Sequence, residues 1–155
     1  MCALFRTQVS KPLVIGIGNT LMGDDGAGAR VVDILRARRC GAEFLHMPTP
    51  GMGLITHVTG REKVIFVDAA EFSGKPGEVR RAERKDLVAV GNGGSLTLHD
   101  KGLLAALDYV EQLGLLPGQI VFYCIQKKTV GPGEGLSEEV CSAVEKAADL
   151  IEAEL

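Results

Sequence analysis

Apolar and polar residues along this chain form two kinds of pattern, one typical of buried strands and one typical of amphipathic helices. Continuous apolar runs typical of buried strands predict strands at Leu13 to Ile17, Lys63 to Val67 and Gln119 to Ile125. A further strand is predicted at Ala42 to Met47. Apolar residues spaced three or four apart predict helices after Gly26, Asp100 and Ser137, and a short one at Leu54 to Val58. A charged segment predicts one further strand at a sheet edge, from Glu78 to Ala82.

The alternation of strands and helices predicts an α/β fold, with a mostly parallel sheet covered by helices on both faces. A length of 155 residues suits a single core, so we expect one domain spanning residues 1–155. Right-handed crossovers allow the strand order 2-1-3. The first and third strands would then flank a switch point, which is where open α/β sheets bind ligands.

Composition narrows the function classes. The net charge of −3 argues against a nucleic-acid partner, which normally requires a basic surface. We find neither a signal-peptide pattern nor an apolar run of roughly 20 residues, so we expect a soluble, cytoplasmic protein without a membrane partner. The four cysteines are scattered, which disfavours a zinc cage or a disulfide framework. The 20 glycines are interpreted as loop and turn positions.

The segment Leu13 to Gly28, LVIGIGNTLMGDDGAG, joins the first strand to the first helix. Its Gly-Ile-Gly begins like a dinucleotide fingerprint, but Leu21 stands where the third glycine belongs. Asp24 and Asp25 also lie at the start of the predicted helix, where a bound phosphate needs free backbone N–H groups and no negative charge nearby. The segment therefore favours cation binding or proton chemistry over phosphate binding.

The stretch Gly18 to Gly28 resembles the N-terminal signature of the [NiFe]-hydrogenase maturation proteases. Two further segments are similar to that family: Thr49, Gly51 and Leu54 match a T-x-G-x-x-L loop, and Asp68 to Gly77 combines a strand-end aspartate with a Pro-Gly turn. The resemblance implies a three-layer α/β/α sandwich with a mostly parallel five-stranded sheet and one antiparallel edge strand. It also implies an endopeptidase that removes the C-terminal extension of the hydrogenase large-subunit precursor after nickel insertion.

Asp25, Asp68 and His99 are the candidate site residues. The switch-point rule puts Asp25 and Asp68 beside the same crevice, and two carboxylates with an imidazole suit a divalent metal that has open positions. The resemblance implies that all three contact nickel carried by the precursor, and that Asp25 and Asp68 take part in catalysis. No HExxH or cysteine-rich motif is present, so we expect no tightly bound resident cofactor. Whether a carboxylate or the metal activates the water stays open.

Taken one at a time, these residues also have structural interpretations. Asp25 can cap the first helix, Asp24 can cap it or fold the loop, and Asp68 can belong to a turn. His99 can precede a helix that Asp100 caps. The shared match to one family favours the site over three unrelated caps. His46 and His57 are interpreted as structural, and Asn19 as a residue that shapes the loop.

Three alternative functions remain open. Cys124 can form a nucleophilic set with His99 and Asp68, although a buried strand cysteine usually behaves as a small hydrophobic residue. The same ligands also suit a non-enzymatic nickel carrier, which would bind free Ni²⁺ tightly. A small-molecule module of flavodoxin type is the third alternative. No long apolar stripe is left over for a partner, so we expect a monomer whose client is the nickel-loaded precursor.

Overall fold

The computed structural model describes residues 10–87, 97–98, 101–133 and 135–155. Six strands are present in the described part of the chain: β1 (Leu13–Ile17), β2 (Glu43–Met47), β3 (Lys63–Glu71), β4 (Val79–Glu83), β5 (Thr97–Leu98) and β6 (Gln119–Gln126). The α-helices there are α1 (Ala27–Ala37), α2 (Leu54–Val58), α3 (Lys101–Gln112) and α4 (Glu138–Glu152). Short 3-10 turns occur at Gly23–Gly26 and Arg84–Asp86. None of the helices in these ranges has the length and apolarity needed to cross a membrane.

The main sheet has the strand order β2-β1-β3-β6-β4. The first four of these strands are parallel, and β4 pairs antiparallel with β6 at the edge. The two-residue strand β5 pairs antiparallel with the end of β3. The predicted fold class is therefore confirmed, including the order 2-1-3, the charged edge strand and the switch point between β1 and β3.

Helices cover both faces of the sheet and create two separate cores. On one face, α2 and α3 bury apolar side chains against Ile15, Phe66 and Phe122, whose last two rings stack with centroids 5.2 Å apart. On the other face, α1 and α4 pack over Val14, Ile65 and Val121. Strands buried on both sides explain why their sequences read as continuous apolar runs.

Strand β3 is longer than predicted. We expected it to end at Asp68, but it continues to Glu71 because Asp68, Ala69 and Ala70 keep their pairing with β6. The pairing between β1 and β3 reaches only Val67. Asp68 therefore lies inside β3, one residue past the end of its pairing with β1. The predicted location at the switch point holds, although the residue does not end its strand.

Two glycines pack elements together and are not loop residues, contrary to the general interpretation of the glycines. Gly16 lies inside β1 and Gly28 inside α1, and a Cβ on Gly16 would collide with the carbonyl group of Gly28. A Cβ on Gly28 would collide with the carbonyl oxygens of Ile17 and Val67. Only glycine at both positions lets the start of α1 rest on the backbones of β1 and β3.

The last residues of the chain are tied to the sheet by an ion cluster around Glu154. Arg81 Nη2 donates to Glu154 Oε1 at 2.7 Å, the Tyr123 hydroxyl donates to Oε2 at 2.6 Å, and Lys63 Nζ lies 3.2 Å from Oε1. The hydrogen bond from Arg81 is the largest cause that lowers the pKa of Glu154, to about 2. These contacts fasten the end of α4 to β3, β4 and β6.

Gly28→Ala should destabilise the fold by about 3 kcal/mol or more, since the new methyl group meets backbone that cannot rotate away. Urea unfolding followed by circular dichroism measures the loss. Gly41→Ala is the matched control, because a Cβ there has nothing within 4 Å, and it should change stability by less than about 0.5 kcal/mol. Equal stability of the two variants would contradict the packing argument.

Glu154→Gln should remove part of the pH dependence of stability. The pKa of Glu154 in the folded protein lies below its ordinary 4.5, so its stabilisation is complete above that pH and is lost as pH falls through about 2. The native chain should therefore lose about 2 kcal/mol over this window, and the variant should lose less. Thermal unfolding from pH 2 to pH 7 tests this, with Glu145→Gln, 62% exposed, as the control. Parallel pH profiles for the native chain and Glu154→Gln would count against the cluster.

Candidate active site

Buried polar side chains of the described residues gather at one edge of the sheet. They are Asp24, Asp25, Asp68 and Gln126, each at most 6% exposed. Asp24 and Asp25 lie between β1 and α1, Asp68 lies in the last part of β3, and Gln126 ends β6. Burying a carboxylate is unfavourable unless it is bonded, so this concentration marks the edge as the functional region.

Asp25 lies in the 3-10 turn Gly23–Gly26, and its side chain folds back towards the preceding loop. The backbone N–H of Asn19 donates to Asp25 Oδ2 at 2.7 Å. The helix α1 begins after Gly26 and has no side-chain cap, so Asp25 does not cap α1. Gly18, with φ at +115°, is the residue that lets the loop pass so close to Asp25.

Asn19 shapes this loop as predicted. Its side-chain oxygen Oδ1 accepts a hydrogen bond from the backbone N–H of Leu21 at 2.9 Å, which is the bond of an Asx turn. The same residue thus supports the loop with its side chain and holds Asp25 with its backbone N–H.

Asp68 is 1% exposed and lies opposite Cys124 in the β3–β6 register. The 3-10 turn that carries Asp25 contacts β3, and Gly28 of the following helix rests on the carbonyl of Val67, the residue before Asp68. The structure therefore places Asp25 and Asp68 at the same switch point, as predicted. Their roles in metal contact and catalysis stay predictions.

His99, the third predicted site residue, lies outside the described residues. Within residues 10–87, 97–98, 101–133 and 135–155, we find no group of three or more His, Cys, Asp or Glu side chains positioned to hold a metal ion. The two carboxylates are thus the part of the predicted site whose position the structure supplies.

Asp24 folds the loops around the site, which was one of its two predicted roles. Its Oδ2 accepts the backbone N–H groups of Lys128 and Thr129, both at 2.8 Å, and its Oδ1 accepts that of Ser137 at 2.7 Å. Burial alone raises the pKa of this carboxyl, but the backbone hydrogen bonds outweigh it and lower the pKa below its usual value. Asp24 is therefore a charged anchor for the loop between β6 and α4.

Ser137 and His46 make contacts that the sequence did not indicate. Ser137 occupies the N-cap position of α4 as predicted, but its hydroxyl donates to Asp24 Oδ2 at 3.0 Å and makes no cap bond. His46 Nε2 donates to the carbonyl oxygen of Gly18 at 2.8 Å, so this structural histidine supports the site loop. His57 is exposed on α2. The contact of His46 with the site loop could have been inferred only from the parallel β1–β2 register, in which His46 pairs with Gly16.

Gln126 organises the loop after β3. Its side-chain oxygen accepts the N–H groups of Phe72 and Gly74 at 3.0 and 3.2 Å, and its amide nitrogen donates to Glu71 Oε1 at 2.8 Å. The second loop at this edge is therefore held by a buried polar side chain, just as Asp24 holds the loop between β6 and α4.

Comparison with known proteins identifies the family. A family model for hydrogenase maturation protease matches residues 30–154. A putative hydrogenase maturation protease of Methanocaldococcus jannaschii is 30% identical over 149 residues, which covers 92% of this chain and 95% of that protein. The hydrogenase maturating endopeptidase HybD of Escherichia coli superposes with a TM-score of 0.79 at 25% identity over 94% of this chain and 91% of its own. The [NiFe] hydrogenase maturation protease HybD of Thermococcus kodakarensis superposes with a TM-score of 0.74 at 28% identity, over 92% of this chain and 97% of its own. This chain belongs to the hydrogenase maturation protease family.

Proposed function

We propose that this chain is the endopeptidase that removes the C-terminal extension of a [NiFe]-hydrogenase large-subunit precursor after nickel insertion. The observation that carries the proposal is the pair of buried carboxylates, Asp25 and Asp68, at the switch point of a maturation-protease fold. The precursor, here called the client, brings its own nickel. The chain itself is proposed to work without a tightly bound resident cofactor and as a cytoplasmic monomer.

Recognition of the client is the first step. Carboxylate oxygens and an imidazole suit a divalent metal with open positions, so Asp25, Asp68 and His99 would complete the coordination of client-borne nickel. Only a loaded client then gains these contacts, and an empty one is left uncut. The buried position of both carboxylates supports this role, because an approaching cation offsets their unfavourable desolvation.

Cleavage is the second step. A water molecule must lose a proton as it attacks the peptide carbonyl, and a carboxylate at the switch point can accept that proton. The client's nickel can alternatively polarise the carbonyl as a Lewis acid. The two routes differ when a client loaded with another divalent metal is offered, because only the Lewis-acid route makes the cleavage rate depend on the acidity of that metal.

The burial of Cys124 argues against a cysteine nucleophile. The Cys124 thiol is fully buried in β6, and burial, together with the nearby negative charge of Asp68, raises its pKa. The reactive form of cysteine is the thiolate, which both effects suppress. The structure therefore favours carboxylate or metal chemistry over the cysteine alternative.

Asp25→Asn and Asp68→Asn should each slow cleavage of a nickel-loaded client at least about 100-fold, since removing a general base or a metal ligand has effects of this size. Intact-mass spectrometry follows loss of the client's C-terminal tail. Asp149→Asn is the matched control, because Asp149 lies on α4, is 68% exposed and pairs with Arg38. Equal cleavage of loaded and nickel-free clients would contradict the recognition step.

The carrier alternative gives the opposite pattern in the same experiment. A carrier would cut no client and would bind free Ni²⁺ tightly in isothermal titration calorimetry. The protease proposal predicts cleavage together with weak binding of free Ni²⁺.

Cys124→Ala should retain cleavage within about threefold of the native rate, and it should lower stability by only about 1 kcal/mol because a small buried group is lost. Peptide-resolved mass spectrometry after brief iodoacetamide treatment should find Cys141, which is exposed, modified and Cys124 unmodified. Abolished cleavage in a folded Cys124→Ala variant would restore the nucleophile hypothesis.

A further inference from the structure

The carboxylate of Asp24 and the distant groups that donate hydrogen bonds to it form a contact that is called the clasp. This carboxylate accepts five hydrogen bonds: three from backbone N–H groups, one from the Ser137 hydroxyl and a longer one, at 3.5 Å, from the Thr129 hydroxyl. All five donors belong to residues more than 100 positions further along the chain. Hydrogen bonds to a charged acceptor are short and strong, so this clasp fixes the distance between the 3-10 turn Gly23–Gly26 and the segments 127–133 and 135–137, which together are called the distant loop.

A backbone ladder reinforces the clasp on one side of Asp24. The N–H of Asp24 donates to the carbonyl oxygen of Thr129 at 3.1 Å, and the N–H of Gly23 donates to that of Gly133 at 3.0 Å. Gly133 in turn donates to the carbonyl oxygen of Leu21 at 3.0 Å. Both the main chain and the side chain of Asp24 are therefore held by the same distant loop.

Asp25, the next residue, makes hydrogen bonds with residues that precede it in the chain. Its N–H donates to the carbonyl oxygen of Met22 at 3.3 Å, and its Oδ2 accepts the N–H of Asn19 at 2.7 Å. Since Asp24 and Asp25 share a peptide plane, the clasp that fixes Asp24 also fixes the Cα from which the Asp25 side chain starts. The hydrogen bonds of Asp25 to Met22 and Asn19 then hold the direction of that side chain.

We propose that Asp24 is a positioning residue, which locks the 3-10 turn to the distant loop and so holds Asp25 in its working orientation before the client binds. This inference rests on the proposed function of Asp25. A loss of position of about 1 Å is enough to slow a reaction about 100-fold, so the clasp acts on catalysis through Asp25 without touching the client.

The first test needs no client. In the ¹⁵N-labelled protein, the amide of Asn19 reports the bond to Asp25, and the amides of Lys128, Thr129 and Ser137 report the clasp. Asp24→Asn should move the Asn19 resonance upfield and raise its hydrogen-exchange rate at least tenfold, together with those of the three clasp amides. Asp149→Asn, an isosteric change on the exposed face of α4, should leave the resonances and exchange rates of all four amides unchanged.

The second test is single-turnover cleavage with the enzyme in saturating excess, where a minor unfolded fraction leaves the rate constant unaffected. Asp24→Asn should lower the rate constant 10- to 100-fold, and the enzyme concentration at half-maximal rate should change less than threefold. If Asp24→Asn does not fold, Ser137→Ala replaces it, because this variant removes one of the five hydrogen bonds to Asp24. Ser137→Ala should lower the single-turnover rate constant two- to fivefold, and the enzyme concentration at half-maximal rate should again change little.

Two results would overturn the inference. One is an Asn19 amide that keeps its resonance and protection while the clasp amides exchange freely, because Asp24 would then only fold the distant loop. The other is an unchanged single-turnover rate constant in a folded variant. A native protein that cuts no client refutes the proposed function instead, and the Asn19 measurement still decides whether Asp24 positions Asp25.

Discussion

The contact on which this structure depends most is the glycine-to-glycine approach of β1 and α1. Gly16 and Gly28 leave room for the first turn of the helix to rest on the backbones of β1 and β3, against the carbonyl oxygens of Ile17 and Val67. Any Cβ at either position would push the helix outward. Because the 3-10 turn Gly23–Gly26 is continuous with α1, that displacement would also lift Asp25 away from the switch point where Asp68 lies.

Much of this arrangement follows from the sequence for a simple physical reason. Strands buried on both faces must be continuously apolar, so β1, β3 and β6 stand out. The right-handed crossover rule then leaves few topologies, and one of them places Asp25 and Asp68 together. Two carboxylates that directly follow apolar runs or lie a few residues after them, Asp68 and Asp25, are therefore recognisable from the sequence.

Contacts between residues distant in the chain were beyond sequence reasoning. Nothing near Ser137 indicates that its hydroxyl donates to Asp24 instead of capping α4, because the cap pattern is satisfied locally either way. The extension of β3 past Asp68 depends on pairing with β6, which local propensity does not encode. His46 could be connected to the site loop only once the parallel register of β1 and β2 was known.

The two ends of the sheet use charge in different ways. Around Glu154, carboxylate and cations lie together at the surface and fasten the end of α4. At the opposite end, Asp24 is fully buried and is held by backbone N–H groups and two hydroxyl groups, which carry no counter-charge of their own. Backbone donors are fixed in space once the loops are folded, whereas lysine and arginine side chains must be immobilised at an entropic cost. A carboxylate anchored in this way gives a rigid frame without adding a positive charge that would compete for the neighbouring acid. An environment of this kind suits the cation recognition that we propose for Asp25.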